Sequence, residues 1–121
     1  MLADLDPMLR QFLSGFTAWP IVNQVPASRP DRFVLARATG GNADNMVLER
    51  AVVTVSVAST GGYADARLQA LTLRDALLTR YTSMPLVRGV SELTRPYLDP
   101  DPDTGDARAT FVHQMLVRAA R

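Results

Sequence analysis

Cysteine and lysine are both missing from this chain, and each absence removes chemistry. Without cysteine there are no disulfides, no thiolate zinc sites and no sulfur nucleophile, and a reducing compartment is compatible. All thirteen basic residues are arginine, so Schiff-base catalysis and the lysine of a phosphate-binding loop are excluded. The single histidine, His113, rules out a histidine-rich metal site and leaves little for a histidine-based triad. Neither sign of charge is in excess: the net charge is +1, which supplies no broad attraction to nucleic acid or an anionic membrane. The longest nearly apolar run, residues 51–58, falls far short of the roughly 20 residues of a membrane-spanning helix. The opening Met-Leu-Ala-Asp-Leu-Asp-Pro is acidic and lacks the basic start and apolar run of a signal peptide. The expectation is a soluble protein that is cytoplasmic when made.

What is present is a globular composition. Over 121 residues, 47% are apolar and 21% charged, which fits one domain spanning 1–121 with one core. Arginine makes planar, two-pronged contacts to carboxylates and is enriched at protein interfaces.

Asp6 followed by Pro7 predicts a helix N-cap and first helical residue, and Met8, Leu9, Phe12, Leu13 and Phe16 then recur at helical spacing. Gly15 and Trp19-Pro20 end that helix. Residues 21–25 read as a brief strand or extended arm stopped by Pro26, and residues 32–39 as a strand covered on both faces. Gly40-Gly41-Asn42 through Asn45 is turn chemistry, leading by a hairpin into residues 47–59. There Val53, Val55 and Val57 share one face, which predicts the central strand.

Thr60-Gly61-Gly62 breaks this strand and residues 63–81 form the clearest helix. Its apolar residues fall in two stripes: Ala64, Leu68, Leu71 and Leu78, and Ala66, Ala70, Leu73 and Leu77, with Arg67 and Arg74 between them. Together they are wider than the one face needed to cover a sheet. Either one stripe packs on the sheet and the other meets a neighbouring subunit, or the whole helix sits in a groove of its own monomer. Residues 86–94 read as a strand with Gly89 marking a bulge. The acidic, proline-rich segment at about 95–107 reads as a long loop, because its prolines forbid a central strand. Residues 109–119 alternate as the last strand. The result is an α+β domain: a mainly antiparallel sheet with an N-terminal helix and one long helix packed on it.

None of the reactive groups forms a convincing site. Asp99, Asp101 and Asp103 alternate like calcium ligands, yet Thr104 and Thr110 stand where an EF-hand loop needs Gly and Glu. A solvated acidic loop is the simpler reading. His113 lies between Phe111 and Met115 on one strand face, which predicts a partly buried histidine with a satisfied hydrogen bond, not a general base. Gly40-Gly41 and Gly61-Gly62 lack the spacing of a nucleotide fingerprint. No catalytic residue, cofactor or metal is expected.

The string Val25-Pro26, Arg29-Pro30, Arg32-Phe33-Val34 and Arg37-x-Thr39-Gly40-Gly41 resembles the opening of tail-terminator proteins from long-tailed, siphovirus-type actinobacterial phages. The valine strand, the Ala/Leu helix from Tyr63, and Pro102-Asp103-Thr104-Gly105 before Arg108-x-x-Phe111 follow in that family's order, so the resemblance spans roughly residues 19 to 119. It implies a virion protein without enzymatic activity that forms a ring, usually hexameric, capping the head-proximal end of the tail tube. Such a ring stops tube polymerisation and docks the head connector, while DNA passes through it without specific binding. The implied partners are further copies of the chain, the tail tube protein and the connector, with no membrane. Host cytoplasm during assembly and the tail neck in the virion are the implied locations. On this reading Arg67, Arg74, Ala66, Ala70, Leu73 and Leu77 are the subunit-interface residues. Gly40, Gly41, Asn42, Asn45, Asp99, Asp101 and Asp103 belong to loops making the axial contacts. The alternatives are another head-tail joining protein of the neck, or a small ligand-binding α+β dimer using the groove between helix and sheet.

Overall fold

The computed structural model describes residues 5–43 and 48–118. Along the chain run α1 (Leu5–Ser14), β1 (Ile21–Val22), β2 (Arg32–Ala43), β3 (Leu48–Ser59), α2 (Tyr63–Arg80), β4 (Val87–Leu98) and β5 (Arg108–Arg118). A single 3-10 turn, Tyr81–Ser83, follows α2. The strands form one five-stranded sheet in the order β1-β2-β3-β5-β4, so the chain is α+β with β3 at the centre. The sheet is mixed, which corrects the expectation of a mainly antiparallel one. β1 lies parallel to β2, while β2–β3, β3–β5 and β4–β5 are antiparallel. The connection 23–31 is the reason: it serves as the crossover that parallel pairing requires.

Both helices cover the same face. Val53, Val55 and Val57 of β3 and Phe111 and Met115 of β5 are fully buried there, against Leu9 and Leu13 of α1 and Ala66, Ala70, Leu73 and Leu77 of α2. Small Ala66, Ala70 and Ala76 alternate with larger Leu73 and Leu77 on the face of α2 that packs on the sheet. Gly62, at φ +106°, starts α2 in a backbone region that is essentially closed to other residues. Just beyond it, the Asp65 carboxylate accepts hydrogen bonds from Ser59 Oγ (2.6 Å) and Arg32 Nε (2.9 Å), a negative charge well placed in the first turn.

The second face is half covered. β3 alternates buried and half-buried residues from Ala51 to Thr54, then is buried on both sides from Val55 to Ser59. Over that end, Phe33, Leu35 and Ala58 make a small second cluster, with the Arg29 guanidinium 5.9 Å from the Phe33 ring centre. Arg29 Nη1 also reaches Asp101 Oδ2 at 2.7 Å, tying residues 23–31 to the β4–β5 loop. Beneath them Ser56 Oγ and Thr110 Oγ1 are 2.9 Å apart, and Thr110 donates onward to Asp99 at 2.8 Å. Each buried hydroxyl is thereby satisfied.

Several predicted boundaries move. Asp6 lies within α1 and is no N-cap; its Oδ1 accepts the Ala38 backbone N–H at 2.9 Å. That donor is on the β2 edge beyond the two-residue β1, where no strand among the described residues pairs with it. Gly40, Gly41 and Asn42 are not a turn: β2 runs on to Ala43, with one extra residue on β2 between Thr39 and Asn42. A glycine pair permits that bulge as readily as a turn. Asn45 lies outside the described residues. β4 continues through Arg95-Pro96-Tyr97 to Leu98, so the acidic loop is shorter than predicted, 99–107. β4 is the edge strand, where proline is tolerated, and the register shifts between Thr94 and Tyr97 around Pro96. The bulge expected at Gly89 is present between Val87 and Gly89.

Candidate interaction surface

The residues assigned to an interface divide sharply by burial. Ala66, Ala70, Leu73 and Leu77 have no exposed surface at all, so they cannot meet a neighbour; they form the stripe that packs on the sheet. The other stripe faces outward, with Ala64 exposed, Leu71 and Leu78 half-buried and Leu68 67% exposed. Two apolar stripes were legible in the spacing; one of them is buried on the sheet and the other is partly exposed. Which of them would be buried was not legible, because alanine and leucine at equal period look alike until the sheet's position is known.

Arg74 is committed inside the protomer. Its Nε and Nη2 meet Glu92 Oε1 and Oε2 of β4 at 2.5 and 3.0 Å, and Nη1 lies 3.2 Å from Asp75 Oδ1. This two-pronged pair, about one quarter exposed on each side, clamps α2 to the edge strand. Arg74's hydrogen bonds hold the Glu92 carboxyl below its ordinary range. Glu92 stands opposite His113 in the β4–β5 register, with its Oε1 3.8 Å from His113 Nε2, beyond hydrogen-bond reach. His113 is completely buried, its ring centre 4.9 Å from that of Phe111 with the planes tilted by 51°, and neither ring nitrogen is hydrogen-bonded among the described residues. The expected partly buried, satisfied histidine is therefore corrected: this one is wholly buried and unsatisfied, and burial pushes its pKa down.

Two turns earlier on α2, Arg67 is exposed and forms no ion pair among the described residues. With Leu71, Arg74, Arg95 and Pro96 it lines a groove of about 450 Å³ between α2 and β4. Arg95 is likewise exposed and without an ion pair among the described residues. Leu93 (54% exposed), Tyr97 (43%) and Leu98 (54%) lie along the same strand. Arg95, Tyr97 and Leu98 were missed because their segment was read as loop, whereas Leu93 lay within the predicted strand but was not singled out. Their signal was the run of large apolar side chains on both sides of Pro96.

The loop aspartates have unlike roles. Asp99 accepts from Arg108 Nη2 (3.0 Å) and Thr110. Asp101 is buried: its Oδ1 accepts the backbone N–H groups of Asp103 (2.8 Å) and Thr104 (3.2 Å), and Oδ2 takes Arg29. The Arg29 contact, followed by the Asp103 amide, lowers the Asp101 pKa to about 2. Asp103 is exposed, and Asp106 half-exposed. Gly105, at φ +74°, closes the turn. Among the described residues no group of three metal-ligating side chains converges, and no helix is long and apolar enough to cross a membrane. The surface formed by α2, β4 and the acidic loop carries exposed apolar residues beside arginines and aspartates that have no ion pair among the described residues. The sequence matches no protein-family model and no curated protein.

Proposed function

We propose that the chain is a structural assembly subunit of a phage tail neck, a tail terminator whose copies close into a ring on the tube, stop its polymerisation and receive the head connector. The observation that carries this reading is the surface of α2 and β4. A helix stripe with Leu68 two-thirds exposed lies beside a twelve-residue edge strand carrying Leu93, Tyr97 and Leu98 outward. Exposed apolar residues along an unpaired edge favour association. A ring needs two unlike surfaces per subunit, so that one copy's patch meets a different patch on the next. The sequence resemblance supplies the setting. The bulged end of β2 and the loop 99–107 are the axial contacts, one toward the tube and one toward the connector.

The space between α2 and the sheet is filled by Leu73, Leu77, Phe111 and Met115, which disfavours a ligand groove there. Mass photometry of the purified chain is expected to show closed rings, and electron micrographs of isolated tails a ring at one end. A phage lacking the gene is expected to make tails of uncontrolled length. Normal-length tails that fail to join heads would favour a neighbouring joining protein instead, and a chain that stays monomeric at high concentration would sink the ring.

A further inference from the structure

The groove between α2 and β4 holds two guanidiniums, Arg67 and Arg95, that no carboxylate neutralises among the described residues. Arg74, beside them, is already taken by Glu92 and Asp75. The loop 99–107 presents the reverse: Asp99 and Asp101 are taken by Arg108 and Arg29, while Asp103 and Asp106 have no ion pair of their own among the described residues. We infer that the Arg67–Arg95 groove is the socket for the Asp103–Asp106 turn of a second copy of this chain. The assignment rests on the reading of the chain as a self-assembling subunit and names the contact that would join its copies.

Three features favour this occupant. The turn is already rigid, held by the two Asp101 backbone bonds, by Arg29 and by Gly105, so little freedom is lost when it docks. Groove and turn lie on different sides of the sheet, one beside α2 and the other tied to the connection over Phe33. The contact is therefore head to tail between copies, the kind that closes rings. The two charges on each side match in number, and exposed Leu68 adjoins Arg67 in sequence to supply apolar area. Charge pairs of this kind fix register and partner choice more than raw affinity.

Charge swapping in the full chain tests it. Arg67→Glu with Arg95→Glu, and separately Asp103→Arg with Asp106→Arg, are each expected to weaken self-association about tenfold or more by sedimentation. The chain carrying all four changes is expected to recover to within about threefold of the starting affinity. Thermal melts of the monomer should be unchanged, and the neutral Asp103→Asn, Asp106→Asn variant guards against a misfolded loop. If the original chain assembles and neither reversal matters, the socket is wrong while the ring stands. Loss without recovery in the fourfold variant overturns the acidic turn as partner. A chain that never assembles defeats the ring reading and this contact with it. Binding of a DNA duplex that Arg67→Glu abolishes, with assembly unaffected, would mean that the groove holds phosphate.

Discussion

His113 couples folding to pH because it is neutral and buried in the folded chain but free to take up a proton once unfolded. Burial lowers its pKa, the nearby Glu92 charge only partly opposing this. In the window below the ordinary histidine value the unfolded state binds more protons, so stability is full above about pH 6.5 and falls as pH drops through it. Urea midpoints measured between pH 8 and 5 should follow that curve, and His113→Leu should flatten it. Asp101 acts in a lower pH range. Its depressed pKa means that its stabilisation is present above the usual carboxylate value and is lost as pH falls toward about 2. Replacing it with Ala is expected to speed hydrogen exchange at the amides of Asp103 and Thr104, which lose their acceptor. In the core, Leu73→Ala is expected to cost about 2–5 kcal/mol by leaving a cavity where no exposure exists now.

Among the elements, α2 carries the clearest separation of duties. Arg67 and Arg74 are equivalent by spacing, seven residues apart on one face, yet only Arg74 reaches Glu92. Arg74→Glu is therefore expected to lower the melting temperature by at least about 3 °C, by setting like charges together beside buried His113. Arg67→Glu should stay within about 0.5 kcal/mol of the original in monomer stability. Gly62→Ala is expected to cost about 1–3 kcal/mol through backbone strain alone, since nothing lies within 4 Å of where its Cβ would stand. The helices, the valine strand and the last strand were legible because their apolar period is strong. The end of β4 was not, because Pro96 signals a break whose force depends on whether the strand is central or at an edge. The glycine pair at 40–41 was misread for a similar reason: a bulge and a turn ask the same freedom of the backbone.

On the scale of the whole molecule, one face of the sheet bears both helices and the other is closed at one end by residues 23–31 and the acidic loop. The α2–β4 side carries the exposed Leu68, Leu93, Tyr97 and Leu98, and it is the contact surface in the assembly proposed above. Leu68→Asp is expected to leave the monomer's melting temperature unchanged and to cut self-association, read by mass photometry; retained assembly would place the contact elsewhere. The proline-punctuated stretch 25–41 divides here: its first part lies in the connection 23–31 between parallel β1 and β2 and brings Arg29 over Phe33 to Asp101, while 32–41 are in β2. By itself the sequence determined the α+β class, the centrality of the valine strand and the two stripes of the long helix, because hydrophobic period and turn chemistry are local properties. Only the tertiary structure decided which stripe is core, that Arg74 is paired while Arg67 has no ion pair among the described residues, and that His113 is fully buried with no hydrogen bond among the described residues. Those outcomes depend on strand order and on residues such as Arg29 and Asp101, 72 positions apart, which no local pattern brings together.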